Sequence, residues 1–311
     1  MQLLSAAAAL VVPCASRKRV SPQHEACAVS LPISSQQDLE SAWLKKLVTL
    51  PIACEAMNLY GGRGFQLALQ ASRAANAPLY VASAGLGLLS AERRIPSYGL
   101  TVSGRGPESI CARVHGHFNS GSWWHAIQGS PFATSLSRVL ASEPTRPVVI
   151  ALTQPYARML ASDLEALPDG AVARLRIIGV NLDSVLSSRL LSGLLPYDER
   201  LEAILPGTRA DFPQRALVHF VSEGLLARPG ADANSHRVWV ESVLTGRSAP
   251  LRRERPRVSD EDVLVLIKRH LPQMAGIGRL LRVLRDEEGV ACEQARFSRL
   301  YRVATGDRGI G

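Results

Sequence analysis

Apolar positions along the chain fall into two patterns. Short, unbroken and partly β-branched runs occupy Ala8–Val12, Leu79–Ser83, Pro147–Leu152 and Arg174–Val180. Such runs predict strands covered on both faces. Between them lie longer segments whose apolar residues recur three and four apart. Gln36–Leu50 carries Leu39, Trp43, Leu44 and Leu47, and Gly64–Asn76 carries Phe65, Leu67, Ala68 and Leu69. Pro155–Leu167 opens behind Thr153 and Gln154, a helix start. This alternation predicts an α/β fold with a mainly parallel, Rossmann-like sheet flanked by helices. Sheets of that kind bind ligands beyond the C-terminal ends of their strands. The loops after the first two runs are therefore the first places to look for chemistry.

Past Val180 the strand signal fades, and Leu195–Leu205, Asp211–Leu226 and Arg237–Thr245 read as helical. Residues 246–258 hold two prolines and five arginines with no apolar period, the mark of a basic linker. Ser259 followed by three acids then opens a helix that reaches His270 and stops at Pro272. Gly278–Arg285 and Glu293–Ala304 form two more, the last with Ala295, Phe297, Leu300, Tyr301 and Ala304 along one side. Three short helices with a basic third one make a helix-turn-helix-like pattern. The expected organisation is an α/β domain over 1–245, a linker over 246–258 and a small C-terminal helical, arginine-rich domain over 259–311.

Composition narrows the class. Of 311 residues 46% are hydrophobic and 20% charged, which excludes a disordered tail. The net charge of +9 is uneven: residues 247–311 hold 14 Lys and Arg against 9 Asp and Glu, more than half of the surplus. Arg296, Arg299 and Arg302 recur every three residues, so they share one helix face. With Arg252 and Arg253 of the linker they are candidate contacts to phosphates or base edges; the alternative is a solvated arginine face. Nucleic acid is the expected partner, DNA ahead of RNA. The five cysteines show no CxxC spacing, so no disulfide framework or zinc knuckle is expected, and reduced thiols point to a cytoplasmic location. The first apolar run has no Lys or Arg before it and three cations after it, the reverse of a secretion signal, and reads as a strand. No apolar stretch reaches the length of a membrane span, so no membrane partner is expected. Neither HExxH nor a clustered acid–histidine pattern occurs, and no metal or cofactor is expected.

Two loops hold the candidate chemistry. The first, Pro13–His24, places Cys14, Ser16, Arg17, Lys18, Arg19, Ser21 and His24 directly after a predicted strand. Ser16 and the loop amides suit an anion, with Arg17 as its counter-charge. Lys18 is a candidate nucleophile if its surroundings lower its pKa, and Cys14 is a second candidate or else a small core residue. The second loop contains Ser83, Gly85, Gly87 and, further on, Tyr98. Its glycines permit close approach to a ligand, and Tyr98 would stack on a base or anchor the loop. No GxxxxGK[ST] loop is present, which argues against a P-loop nucleotidase. Asp211, flanked by Arg209 and Arg215, reads as a helix cap.

The first loop resembles a motif of the archaeosine synthase family: Pro13-Cys14, three residues, Lys18, and more loosely Ser21 and His24. The family has Pro-Tyr where Arg19 and Val20 stand, and its serine and histidine come two residues later. The second loop is similar to bacterial proteins associated with 7-deazaguanine and DNA modification, through Ser83-Ala84, Gly87-Leu88-Leu89, Ile95, Tyr98 and Leu100-Thr101. The resemblance covers roughly the first 100 residues. It implies an enzyme that acts on a purine-like, 7-deazaguanine base with lysine chemistry on a nitrile. Cys14 and Lys18 would line the base pocket, with Ser83 and Tyr98 opposite. A base inside a duplex would have to be flipped out to reach such a pocket. The alternative is a non-catalytic DNA-binding protein of a mobile-element or phage-defence cassette, working with partner proteins of a multi-gene system.

Overall fold

The computed structural model describes residues 5–102, 106–249, 256–273 and 276–306. The chain forms two compact units, residues 1–250 and 251–311. Strands of the first unit are β1 (Ala9–Pro13), β2 (Ile52–Glu55), β3 (Leu79–Ser83), β4 (Gly87–Ser90), β5 (Arg94–Pro96), β6 (Val148–Ala151) and β7 (Leu175–Ile178). Its longer helices are α1 (Gln36–Thr49), α2 (Arg63–Ala75), α3 (Ser120–Ile127), α4 (Leu136–Ala141), α5 (Gln154–Glu165), α6 (Phe212–His219) and α7 (Ala233–Leu244).

The main sheet has the order β4-β3-β1-β6-β7, with β3, β1, β6 and β7 parallel. All four of those strands coincide with the apolar runs. β4 is an antiparallel edge that turns straight back from β3. β2 and β5 pair separately as a small antiparallel ribbon. β1 is buried at every position, because β3 and β6 cover its edges and helices cover its faces. Helices α2 and α6 pack on each other, as do α3 and α5.

Two expectations change. Leu195–Leu205 contains only a short 3-10 turn, Glu199–Ala203, because Asp198 pairs locally with Arg200 while Glu199 and Glu202 pair with Arg209 and Arg215 further along the chain. The helix expected over Asp211–Leu226 is α6 followed by a π-helical turn, Phe220–Leu225.

Among the described residues the second unit has three helices: α8 (Asp260–His270), α9 (Ile277–Asp286) and α10 (Gln294–Thr305). Ser259 and Asp262 exchange bonds in a capping box at the start of α8, as the acids after Ser259 suggested. Val263, Ile267, Leu280, Leu284, Phe297 and Leu300 form its core, with Tyr301 and Ala304 packed against it. The side chain of Ala295 lies outside the described residues. Among the described residues no helix is long and apolar enough to cross a membrane.

Candidate functional site

From β1 the chain first goes to β3 and later returns to β6 on the other side of β1. The connections therefore diverge at the C-terminal ends of β1 and β6, where a doubly wound sheet opens a crevice. A cavity of about 560 Å³ occupies that crevice, a volume typical of ligand sites. Pro13–Arg17 after β1 and Gly61–Phe65 at the start of α2 form two walls. Thr153, Pro155 and Tyr156 at the start of α5, and Thr208, Ala210, Asp211 and Gln214 at the start of α6, form the rest, with Thr101 at the rim.

Each wall has a local cause. Backbone pairing carries the sheet ladder one step past β1, through the Cys14 amide to the Ala82 carbonyl at 2.9 Å. This fixes Cys14 on the cavity floor, with its Sγ 3.1 Å from the Tyr156 hydroxyl. Burial, together with the neighbouring thiol, pushes the Tyr156 hydroxyl well above its ordinary pKa. Tyr156 thus stays protonated and can donate to sulfur. In the second wall Gly62 adopts φ 91, a conformation that favours glycine, and caps α2. The first intrahelical bond runs from the Gln66 amide to the Gly62 carbonyl. The amides of Arg63, Gly64 and Phe65 precede it and have no acceptor within the helix.

At the α6 wall Arg215 is fully buried and holds two carboxylates. Its Nε lies 2.9 Å from Asp211 and a terminal nitrogen 2.7 Å from Glu202, while the Thr208 and Leu205 carbonyls accept its other protons. Burial pushes the Asp211 carboxyl up, but the bonds from Arg215 and the Thr208 amide outweigh it and hold the group below its ordinary value. Asp211 is the cap the sequence suggested: it closes a capping box with Thr208. Gln214 is 7% exposed, and its Oε1 accepts no hydrogen bond from any described residue.

The structure brings Cys14, Ser16 and Arg17 to this cavity, and of the second loop it brings only Thr101 among the described residues. Ser83 and Tyr98 are fully buried. Their hydroxyls are 2.6 Å apart, and Tyr98 is 2.8 Å from the Tyr60 hydroxyl. The amides of Gly85 and Leu86 donate to Ser83 Oγ, and the buried indoles of Trp43 and Trp123 donate to the Gly85 and Ala84 carbonyls. Gly85 is a glycine because a Cβ there would stand 2.7 Å from the Tyr98 ring. Gly87, at φ 80, abuts Gln128 and Ala133. The expectation that Ser83, Gly85, Gly87 and Tyr98 contact a ligand is therefore corrected: they form a sealed packing unit. Lys18 does not line the cavity either. Its backbone pairs with Tyr60 and its Nζ sits 4.5 Å over the Tyr98 ring.

The arginine face of α10 is also redistributed. Arg296 and Arg299 each donate to Asp260 at 2.7 Å, and Arg296 also bonds the Val258 carbonyl. Bonds from Arg299 and then Arg296 hold the Asp260 carboxyl below its ordinary pKa. These two arginines tie α10 to the start of α8. Arg302 is exposed, and Arg252 and Arg253 lie outside the described residues.

Sequence reasoning passed over Gly61–Gly64, Tyr156 and Gln214. A visible signal existed for the first: three glycines within four residues at the opening of an amphipathic helix. No signal marked Gln214, whose importance depends on which helix it faces. Among the described residues no group of three His, Cys, Asp or Glu could hold a metal ion. No protein-family model, curated protein or solved structure matches the chain.

Proposed function

We propose that the protein is a nucleic-acid-associated enzyme whose α/β unit takes a purine-like base of the 7-deazaguanine class into the crevice between β1 and β6. The observation that carries this reading is Cys14: a thiol on the floor of a ligand-sized cavity, 3.1 Å from a protonated tyrosine hydroxyl. The nucleophile expected at Lys18 is thereby reassigned to Cys14. Addition of the thiol to a nitrile carbon forms one S–C bond and opens one C–N π bond. The thiol proton ends on the nitrile nitrogen, with the Tyr156 hydroxyl placed to assist its transfer. The helical unit would hold the polynucleotide through exposed cations such as Arg279, Arg282 and Arg302.

The test is intact-protein mass spectrometry after incubation with 7-cyano-7-deazaguanine. One added ligand mass is expected for the native protein and for Lys18→Ala, and none for Cys14→Ser. An adduct that survives Cys14→Ser, or the absence of both adduct and calorimetric binding in the native protein, overturns the reading. The second reading, a non-catalytic DNA-binding protein, rests on the same basic helical unit. It predicts salt-dependent DNA binding by the full chain that Cys14→Ser leaves untouched.

A further inference from the structure

The start of α7 is tied to β7 by a buried pair of nitrogen groups. Arg176 of β7 is 3% exposed, and His236 in the first turn of α7 is fully buried. Arg176 Nε donates to His236 Nδ1 at 2.9 Å. A guanidinium has only protons to give, so Nδ1 is the acceptor and the imidazole is neutral, with its own proton on Nε2. That Nε2 has no hydrogen-bond partner among the described residues, and the ring stands edge-on to Phe220 at 5.0 Å. The other guanidinium nitrogens bond the carbonyls of Ala173, Leu175 and Ala231 at 2.9–3.1 Å. A second proton on His236 would remove the acceptor and set two buried cations face to face. The further charges that reach His236 are Asp232, the exposed cap of α7, and Arg228 in the turn before it.

The rest of α7 lies across an apolar surface. Trp239 stacks on His219 at 5.5 Å and abuts Gly224 of the π-helical turn. Glu241 meets Arg200 at 2.8 Å, and that bond lowers its carboxyl, so the ion pair persists in mild acid. Burial lowers His219 as well, against the opposing charge of Glu223. Trp239 and Val243 close one side of a cavity of about 630 Å³ walled by Ile204, Leu205 and Val218.

We propose that α7 is an acid-released strap: protonation of His236 breaks its bond to Arg176, frees the start of the helix from β7 and uncovers the apolar cavity beneath it. Burial, and then the charge of Arg176, push the His236 pKa down from 6.5 to about 4. A released or unfolded chain takes up that proton near 6.5, before the closed one does. The closed state is therefore fully favoured above pH 6.5 and loses ground as pH falls from there toward 4. Across that interval the ratio of released to closed chain rises about 100-fold or more. The device is independent of what the β1–β6 crevice binds.

Acrylamide quenching of tryptophan fluorescence in the full chain tests it, because Trp43, Trp123 and Trp124 are buried and Trp239 is half-exposed. Between pH 7 and about pH 4.5 the quenching constant of the native protein is expected to rise about twofold or more, with the far-ultraviolet circular dichroism largely kept. Trp239→Phe is expected to abolish the rise. So is His236→Asn, whose Oδ1 replaces Nδ1 as acceptor and does not titrate. No rise in the native protein, or a rise that survives either substitution, overturns the strap. Nitrogen-15 NMR of the native protein gives a check that needs no variant. An Nε2–H tautomer with a midpoint below about 5 is expected for His236, and a higher midpoint or the other tautomer overturns the proposal.

Discussion

The loops after β1 and β3 begin alike. Each leaves the C-terminal end of a buried parallel strand, and each carries hydroxyls and small residues. Yet Cys14 and Ser16 meet a cavity, whereas Ser83 and Tyr98 meet none. The difference lies in the next strand of the chain. After β3 the chain turns back at once into β4, and the indoles of Trp43 and Trp123 bond the turn's carbonyls. After β1 it runs out to α1 and α2 and leaves the space at the β1–β6 boundary unfilled. Position after a parallel strand is thus a necessary condition for a ligand site, and divergence of the neighbouring connections is the further one.

The comparison can be broken most forcefully at the far wall of the open side. Arg215→Met leaves Asp211 and Glu202 buried without their cation and is expected to cost about 3–5 kcal/mol, read from urea unfolding midpoints. A loss below about 1 kcal/mol would mean that the wall is not held by this network. On the sealed side, Gly85→Ala drives a methyl into a Tyr98 ring that two hydroxyl bonds hold in place, at an expected cost of about 1–3 kcal/mol. Gly64→Ala on the open side meets only ordinary contacts, Gln214 at 3.4 Å and the Asp211 Cβ at 3.6 Å, and a shift within about 0.5 kcal/mol is expected. Equal losses for the two alanines would erase the contrast.

Smaller effects follow from the hydroxyls. Tyr98→Phe leaves Ser83 and Tyr60 each one bond short and is expected to cost about 1–2 kcal/mol. It should also change the alkaline limb of stability. Burial raises the Tyr60 and Tyr98 hydroxyls above their ordinary value of 10. Above that pH the unfolded chain therefore sheds protons that the folded one keeps. Stability is full below pH 10 and falls as pH rises beyond it. The fall should be shallower in Tyr98→Phe than in the native protein; identical pH slopes would place Tyr98 in water. Smallest of all, Cys14→Ala should cost less than about 1 kcal/mol, since it gives up one half-buried thiol contact, while abolishing adduct formation.

The sheet was readable from the chain because its parallel strands are buried on both faces. That forces unbroken apolar runs, and β1, β3, β6 and β7 each have one. Edge elements were not readable. β2, β4 and β5 are three or four residues long, too short for a pattern, and β2 and β5 pair only with each other across some 40 residues. Of the candidate site, the loop carrying Cys14, Ser16 and Arg17 could be found because a strand precedes it. Lys18 could not be assigned, since its backbone bridge to Tyr60 decides where the side chain goes. Arg296 and Arg299 share a helix face, as their spacing requires, but the spacing is silent about Asp260, 36 and 39 residues earlier, which binds both.

By itself the sequence determined the class of fold, the position of the helical unit, the capping of α8 and the strand that delivers Cys14. All of these follow from local periodicity and from hydrogen-bonding needs met within a few residues. Only the tertiary structure decided which loop is open, that Tyr98 is sealed under Lys18, and that Gly64 and Gln214 share a wall. Those facts depend on contacts between residues 40 to 150 positions apart, and their physical cause is the order of strands in the sheet, which no local pattern encodes.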